Sequence, residues 1–348
     1  MRLASSSPLP GAFRARALPR ARGSARGAFV LASASSGPSP GARVALVTGS
    51  TDGIGLHTAC RLASSGHAVI LHGRDRARLD AAAARVDAAA GSGGGVAASY
   101  VRDFASLDDV RGLARDVLDH HPALHLLANN AGVFASGAER QLTRDGRELT
   151  FQVNVLAPFL LTGRLLPRIL ETAAESDDVR ILIVSSISQT PSIDFDDLEA
   201  DAQSYSDHRA YAHSKTMMRA FSFELHARVA ALAAGPKLLT ERRAAAYRAV
   251  SVLTCDPGTV NTKMLLAGWG PCGIETYEAN DQFALLTDPK FANAEHRGGY
   301  HVNLACRRRP EQDSEAERED RRRLWRVLEE ATGLTYTGFE RGERASRG

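Results

Sequence analysis

Continuous apolar runs alternate along this chain with longer segments in which apolar and charged residues are mixed. The apolar runs have the length of strands and are bounded by Gly, Pro, Asn and Asp, which is typical of buried strands. The predicted strands cover residues 43–49, 68–73, 97–103, 124–132, 179–186, 250–258 and 298–305. The mixed segments predict helices over residues 54–66, 76–90, 106–120, 147–174, 208–231 and 318–331.

The predicted strands are apolar throughout instead of alternating between apolar and polar residues. Strands of that kind belong to parallel sheets that helices cover on both sides. Right-handed crossovers then give an α/β fold with a single-domain, Rossmann-type, doubly wound parallel sheet of about seven strands and helices on both faces. Such sheets bind ligands at the carboxyl ends of their strands, so we expect the functional site there.

We assign residues 41–335 to this domain and residues 336–348 to a C-terminal tail. Residues 230–252 lengthen the connection before the sixth strand, and we interpret them as a surface elaboration. Residues 263–297 have weak periodicity, are rich in Gly, Asn and Asp, and follow the carboxyl end of that strand. We therefore expect residues 263–297 to form a substrate loop over the site.

The first forty residues differ from the rest of the chain. They contain six Arg and eight Ser but no Asp or Glu, and the first acidic residue is Asp52. An Arg- and Ser-rich, acid-poor start without an apolar core is typical of an organelle transit peptide, and a disordered tail is the alternative. The Ser, Ala and Pro content favours the chloroplast over the mitochondrion, and both over the cytoplasm; residues 29–34 are a candidate processing site.

Composition excludes several classes of function. Six of the 43 basic residues lie in the leader, so the remainder carries 37 basic against 40 acidic residues and offers no basic stripe to a nucleic acid. The four cysteines form no CxxC pair and the histidines no cluster with metal-ligand spacing, so we predict no metal site and a reducing compartment. No apolar run approaches the roughly 18 residues of a transmembrane segment.

The stretch VTGSTDGIG at residues 47–55 lies between the first predicted strand and the first predicted helix. Gly49 allows a tight turn, and Gly53 and Gly55 let the backbone approach a pyrophosphate and a neighbouring strand. The free N–H groups and the positive dipole end of the helix then favour an anion. This strand, turn and helix predict a dinucleotide-binding site.

The spacing of these glycines resembles the TGxxxGxG motif of the classical short-chain dehydrogenase/reductase family. Further motifs of that family follow in order: NNAG at 129–132, FQVNVLAPFLLT at 151–162, VSS at 184–186, YAHSK at 211–215 and DPGTVNT at 256–262. The stretch RDGRELTFQVN, the insert before Tyr211 and the C-terminal GGYHV and LWRVLEE segments are similar to the branch of retinol dehydrogenases and WW-domain oxidoreductases. The resemblance implies a Rossmann fold that binds a nicotinamide cofactor.

The end of the second predicted strand indicates which nicotinamide cofactor is bound. Gly73 occupies the position where NAD-dependent family members carry Asp, and Arg74 follows it. An arginine there can pair with a 2′-phosphate, so we favour NADP(H) over NAD(H), although Arg74 can also be a surface residue that caps the loop. Asp103 matches the family's adenine-contacting acid, and it can also cap the helix that begins at residue 106.

The family motifs imply a larger set of cofactor-binding residues. In this sequence the set is Gly49, Ser50, Asp52, Gly53, Ile54, Gly55, Arg74, Asp103, Phe104, Asn130, Ala131, Gly132, Tyr211, Lys215, Pro257, Gly258 and Thr262. By resemblance, Thr262 bonds the nicotinamide carboxamide and the Pro257–Gly258 turn runs close to the ring.

Tyr211 and Lys215 share one face of the predicted helix because they are four residues apart. A nearby ammonium and an oxidised nicotinamide would lower the pKa of a tyrosine from its usual value of about 10. By resemblance, Tyr211 is the acid and base that exchanges a proton with the substrate oxygen. Ser186 orients the substrate carbonyl, with Ser185 as the alternative, and Asn154 holds a water that is linked to Lys215.

These motifs predict an NADP(H)-dependent oxidoreductase that interconverts a carbonyl and an alcohol. The catalytic residues are then Asn154, Ser186, Tyr211 and Lys215, and the substrate is a small molecule such as a lipophilic aldehyde, a ketone or a retinoid-like alcohol. The alternative is an NADP(H)-binding redox sensor or scaffold of an organelle envelope. The intact set of four favours the enzyme, since a sensor needs no proton donor. The resemblance also implies a homo-oligomer, although some members of the branch are monomers.

Overall fold

A computed structural model describes residues 29–31, 38–137, 139–200, 205–234 and 240–336 of the protein. Within these residues, one sheet is formed by nine strands. They are β1 (Phe29–Leu31), β2 (Val44–Val47), β3 (Ala68–Gly73), β4 (Gly95–Val101), β5 (Leu126–Asn129), β6 (Val179–Val184), β7 (Val250–Asp256), β8 (Tyr300–Val302) and β9 (Ala305–Arg308). Their order across the sheet is β1-β4-β3-β2-β5-β6-β7-β8-β9.

The strands from β2 to β8 are parallel, and they are the strands that the apolar runs predict. The chain builds outward from β2 to β4 and then crosses back to place β5 on the other side of β2. This reversal makes the ends of β2 and β5 the topological switch point, where doubly wound sheets bind ligands.

The described helices cover both faces of the sheet. They are α1 (Gly53–Ser64), α2 (Arg76–Ala89), α3 (Leu107–His120), α4 (Leu149–Ala173), α5 (Asp207–Ala233), α6 (Glu241–Ala249), α7 (Lys263–Gly268), α8 (Asp281–Thr287) and α9 (Glu315–Thr332). Helices α3, α4, α5 and α9 share one hydrophobic cluster with the sheet, and α1, α2 and α8 share the other. Because successive strand residues point to opposite faces, Leu46 joins the first cluster while Ala45 and Val47 join the second. The predicted doubly wound fold is confirmed.

Two edge strands were not predicted. β9 pairs antiparallel with β8 and consists of the polar sequence ACRR, so its side chains give no apolar signal. β1 pairs antiparallel with β4, although its residues lie inside the segment predicted to be a leader. The remainder of residues 1–37 and residues 337–348 of the predicted tail lie outside the described residues, so the leader stays a prediction. The tail boundary is wrong by one residue, because Tyr336 is buried in the core.

The interpretation of residues 230–252 as a surface elaboration is wrong for their described part. Residues 240–249 form α6 and its N-cap, and Ala246, Tyr247 and Ala249 belong to the core. The predicted substrate loop is also more ordered than expected, since it contains α7, α8 and short 3₁₀ turns at Thr276–Glu278 and Pro289–Ala292.

Helix α4 is long and apolar enough to cross a membrane when judged by length and composition alone. Within its most apolar window, however, 89% of the helix is buried inside the protein. Its buried side chains include Phe159, Leu160, Leu161 and Leu165, which pack in the core. Such a helix is weak support for a membrane span, because core helices have the same composition.

Candidate active site

The turn between β2 and α1 has the backbone that the glycine spacing predicts. Gly49 and Gly53 have positive φ angles of 66° and 55°. A Cβ atom on Gly55 would lie 2.3 Å from Asn130 Nδ2 and 2.4 Å from the Gly49 carbonyl oxygen, so only glycine fits. Helix α1 begins directly after Asp52, which accepts a 2.8 Å bond from the Gly53 N–H. This combination of close backbone and helix N-terminus fits a pyrophosphate.

The segment after β5 is bonded to this turn. Asn130 Nδ2 donates to the Thr48 carbonyl at 2.9 Å, and the Ala131 N–H donates to Thr48 Oγ1 at 3.0 Å. A Cβ on Gly49 would lie only 2.9 Å from Ala131 Cα. The structure therefore brings the two predicted motifs together at the switch point of the sheet.

Two cations that the sequence analysis did not single out surround the beginning of α1. Lys263 Nζ and Arg78 lie 2.6 Å and 3.0 Å from Asp52 Oδ2. The hydrogen bond from Lys263 is the largest cause that lowers the pKa of Asp52. Thr262 lies on the same side, since a Cβ on Gly53 would be 3.1 Å from its methyl carbon. The beginning of α7 thus lies directly against the glycine-rich turn.

The end of β3 has no room for a side chain at Gly73. A Cβ there would lie 2.3 Å from the Thr51 methyl carbon. Arg74 is exposed. Asp75 is committed to the N-cap of α2, where it accepts a 2.9 Å bond from the Arg78 N–H.

The loop after β4 contains the predicted adenine contacts. Asp103 Oδ1 accepts a bond from the Ala105 N–H at 3.0 Å, while Ser106 is the N-cap of α3. Asp103 therefore orders the loop and does not itself cap the helix with its side chain. The Phe104 side chain is buried and stacks on His72 with 4.4 Å between ring centroids.

The four predicted catalytic residues converge beside the ends of β5 and β6. Tyr211, on α5, is 9% exposed, and its hydroxyl lies close enough to Ser186 for the serine hydroxyl to lower its pKa. Lys215 Nζ lies 5.4 Å from the centre of the Tyr211 ring and donates to the Val184 carbonyl at 3.1 Å. Ser185 points elsewhere, because its hydroxyl donates to the Lys215 carbonyl at 2.7 Å. The geometry therefore favours Ser186 over Ser185 as the partner of the tyrosine.

The pKa shifts of this pair differ from the sequence-based expectation. Burial raises the pKa of Tyr211 to about 12, while the hydrogen bond to Ser186 acts in the opposite direction. Burial lowers the pKa of Lys215 to about 8. The expected lowering of the Tyr211 pKa includes the charge of an oxidised nicotinamide, whereas in the protein alone desolvation disfavours the phenolate. Tyr211 is therefore protonated at neutral pH, which is the form that can donate a proton.

Asn154 lies in a π-helical segment of α4 at Gln152–Leu156. Its Oδ1 accepts a 2.8 Å bond from the Val133 N–H, and its Nδ2 donates to Ser214 Oγ at 3.0 Å. A Cβ on Gly132 would lie 3.3 Å from Asn154 Oδ1 and 3.6 Å from Lys215 Nζ, so both groups face the same small space. Single π turns of this kind are frequent at functional sites.

Two supporting residues of the site escaped the sequence analysis. The Asp256 carboxylate accepts bonds from the Ile187 and Gly258 N–H groups, and so joins the serine segment to the Pro257–Gly258 turn. Tyr300 donates to the Ser186 carbonyl at 2.8 Å. Asp256 and Tyr300 both lie in quoted motifs, but their roles depend on contacts between segments that are distant in sequence.

Aromatic side chains enclose Tyr211 on the side of the predicted substrate loop. Trp269 follows α7, and its ring centroid lies 4.8 Å from that of Phe134, 5.0 Å from that of His208 and 5.8 Å from that of Tyr211. Trp269 is 40% exposed, and Leu266, Ile274 and Tyr277 of the same segment are also exposed. Exposed apolar residues beside Tyr211 form a surface that can contact an apolar molecule.

A family model described as short chain dehydrogenase matches residues 43–267. The match covers the glycine-rich turn, all four clustered residues and the Pro257–Gly258 turn. The chain belongs to the short-chain dehydrogenase family.

Two relatives place the chain in the retinol dehydrogenase branch of that family. Polyprenol dehydrogenase of Mus musculus is 38% identical over 234 residues, which are 67% of this chain and 64% of that protein. Retinol dehydrogenase 14 of Homo sapiens is 39% identical over 199 residues, which are 54% of this chain and 57% of that protein. The matched region thus spans less than two thirds of either relative.

Solved structures share the fold. A protein of Mycobacterium paratuberculosis described as uncharacterized superposes with a TM-score of 0.62 and 26% identity, covering 88% of this chain and 99% of that one. A metagenomic short-chain oxidoreductase in complex with NADP has a TM-score of 0.50 and 25% identity, covering 70% and 89%.

Proposed function

We propose that this protein is an NADP(H)-dependent oxidoreductase that interconverts a carbonyl and an alcohol, with Tyr211 as acid and base. The observation that carries the proposal is the convergence of Ser186, Tyr211, Lys215 and Asn154 beside the glycine-rich turn. A bound nicotinamide would supply or accept the hydride. The residues of the chain bind and orient the substrate and move the proton.

In reduction, the Tyr211 hydroxyl donates its proton to the substrate oxygen. Its raised pKa keeps it protonated at neutral pH, and the Ser186 hydroxyl beside it can hold the same oxygen in position. Lys215, held by the Val184 carbonyl, places a positive charge where it stabilises the tyrosinate that remains. In oxidation the same groups run in reverse, and tyrosinate accepts the proton of the alcohol.

The preference for NADP(H) rests on the end of β3. Gly73 leaves no carboxylate to bond a ribose 2′-hydroxyl, Asp75 is occupied as an N-cap, and the exposed Arg74 can pair with a 2′-phosphate. Arg78, which lies 3.0 Å from Asp52 in the glycine-rich turn, adds positive charge to this region. The NADP complex of the metagenomic relative is consistent with this preference.

A lipophilic aldehyde, ketone or allylic alcohol is the proposed substrate class. The support is the aromatic and apolar segment around Trp269, together with relatives that are named for polyprenol and retinol.

We also propose that residues 1–40 direct import into the chloroplast, since they are Arg-rich and free of acids. A fluorescent protein fused to these residues should enter plastids; entry into mitochondria, or retention in the cytoplasm, would contradict the proposal.

The decisive experiment measures NADPH oxidation by the purified protein with a panel of lipophilic aldehydes and ketones. Tyr211→Phe removes the proton donor and should lower kcat by roughly 10²–10⁴-fold, while the Kd for NADPH stays within about twofold. Turnover by Tyr211→Phe at near the wild-type rate would refute the assigned role. Tight NADPH binding with no turnover of any substrate would instead favour the redox sensor.

The cofactor preference has its own test. Arg74→Ala should raise the Kd for NADPH about tenfold and leave that for NADH nearly unchanged, because only NADPH carries the 2′-phosphate. Arg76→Ala is the matched control, since Arg76 is paired with Asp80 along α2. Equal losses for both nucleotides in Arg74→Ala would contradict the preference.

A further inference from the structure

His72 is a buried histidine at the end of β3 that the proposed reaction does not use. It is 4% exposed. Its Nδ1 lies 3.2 Å from the Gly49 backbone nitrogen, and its Nε2 lies 3.1 Å from the Arg102 carbonyl oxygen. The ring stacks on Phe104 with an interplanar angle of 24°. One imidazole thus connects the glycine-rich turn to the loop after β4.

These two partners allow only one form of the ring. The Gly49 N–H can only donate, so Nδ1 must be unprotonated, and the Arg102 carbonyl can only accept, so Nε2 must carry the hydrogen. Burial lowers the pKa of His72 to about 4, while the hydrogen bond to the Arg102 carbonyl and the charge of Asp103 act in the opposite direction and the charge of Arg102 lowers it slightly further. The ring is therefore neutral near pH 7, and both hydrogen bonds are satisfied.

The main chain of His72 binds the same turn. The Ser50 N–H donates to the His72 carbonyl at 3.0 Å, and Ser50 Oγ accepts from the His72 N–H at 3.0 Å. Gly49 and Ser50 are consequently held by both the side chain and the backbone of one residue. Gly49 has a φ of 66°, a conformation that glycine leaves easily when nothing holds it.

We propose that His72 is a positioning residue, which holds the glycine-rich turn in its nucleotide-binding conformation and fixes it to the wall formed by Arg102–Phe104. The proposal rests on the nucleotide binding proposed above. A turn that is already ordered loses less conformational entropy when a ligand binds, so the two hydrogen bonds of His72 should strengthen nucleotide binding without touching the reacting atoms.

Two variants separate the bonds of the ring from its bulk. His72→Phe keeps an aromatic ring against Phe104 but removes both hydrogen bonds. His72→Asn places an amide oxygen near the position of Nδ1, so it can still accept from the Gly49 N–H but cannot reach the Arg102 carbonyl. His121→Phe is the matched control. His121 is also buried and hydrogen-bonded, to Tyr100, but it lies at the end of α3 that faces away from the carboxyl edge of the sheet.

The Kd values of NADPH and NADH are measured by titration, together with kcat at saturating cofactor and the Tm. His72→Phe should raise both Kd values about tenfold, because the turn is common to both nucleotides, and leave kcat within about twofold. His72→Asn should recover part of this loss, and His121→Phe should lower the Tm without changing either Kd. If His72→Phe binds both nucleotides as tightly as the wild type, or if His72→Asn binds as weakly as His72→Phe, the proposal is wrong.

Hydrogen exchange on the nucleotide-free protein gives a readout that does not depend on cofactor preference or activity. The amides of residues 48–51 should exchange faster in His72→Phe than in the wild type, and at the wild-type rate in His121→Phe. Failure of the wild type to bind either nucleotide would refute the proposed function, but the exchange rates would still decide whether His72 holds the turn. Unchanged exchange in His72→Phe would overturn the inference.

Discussion

The two tryptophans of the chain both lie among aromatic rings, but in opposite surroundings. Trp325 is 1% exposed and packs between helices, whereas Trp269 is 40% exposed and packs over the proposed catalytic tyrosine. Since the rings are chemically the same, the burial of their surroundings decides what each cluster contributes.

Trp325 fixes the C-terminal helix to the rest of the domain. Its ring centroid lies 5.2 Å from that of Phe159 on α4 and 4.6 Å from that of Tyr336, and Arg228 covers it at 4.4 Å. Tyr336 in turn fills the space above Gly163, where a Cβ would lie 2.4 Å from its ring. Because the Trp325 ring is buried by protein, its packing contributes to the free energy of unfolding.

Trp269 is only partly covered by the residues that the structure describes. Phe134, His208 and Tyr211 pack against its ring, and Gly268 lets Phe134 approach, since a Cβ there would be 2.9 Å from that ring. Trp269 remains 40% exposed. An apolar ligand can pack against the exposed part of the Trp269 ring, whereas the Trp325 ring is buried and has no surface left for a ligand. Trp269 is therefore the better candidate for substrate contact.

The largest expected effect is at Trp325. Trp325→Ala should lower the free energy of unfolding by about 3–5 kcal/mol, because it removes a large buried ring and leaves a cavity. Chemical denaturation measures the loss, and the Kd for NADPH should remain unchanged in the folded fraction. Full stability of the variant would show that the cluster does not hold α9 in place.

A smaller, purely functional effect is expected at Trp269. Trp269→Ala should raise the KM for lipophilic substrates about tenfold, since an aromatic contact is lost, while the Tm changes little because the residue is half-exposed. Tyr277→Ala is the control, because Tyr277 belongs to the same segment but is 71% exposed. Equal KM values for the two variants would argue against a substrate contact at Trp269.

The smallest effect tests the edge of the buried cluster. Tyr336→Phe keeps the ring above Gly163 but removes the hydroxyl that donates to the Phe159 carbonyl at 2.6 Å. The expected loss is about 0.5–1.5 kcal/mol in the free energy of unfolding, with no change in kcat or KM. A loss as large as that in Trp325→Ala would mean that the hydroxyl, and not ring packing, dominates the attachment.

The parallel sheet was predictable because its strands carry their own signal. Leu46 and its neighbours are apolar on both faces, and each strand from β2 to β6 is followed by a long helix. The charged edge strand β9 is stabilised by pairing with β8, which no local pattern shows. Tyr247 on α6 is buried only because α4 and α5 lie against it, so the sequence alone suggested a surface segment there.

The residues of the candidate site also differ in whether the sequence predicts them. Gly49, Asn154, Ser186, Tyr211 and Lys215 were predicted because each lies in a recognisable motif. Their supporting contacts come from residues far apart in sequence, such as the pairs formed by His72 with Gly49 and by Asp52 with Lys263. The effect of burial on the pKa of Tyr211 was not predicted, because the residues around a side chain are visible in the sequence but the extent of its burial is not.

The π-helical segment around Asn154 constrains the number of residues in α4 more than their identity. Each residue of an α-helix adds about 100° of rotation, and a π turn accommodates one residue more than an α turn. Deleting one codon within Gln152–Leu156 would therefore restore a regular helix but rotate Asn154 relative to the apolar stripe that follows it. Either the amide would leave Val133 or Phe159 would leave the core. A single-codon deletion in this segment should therefore disrupt either the candidate site or the core.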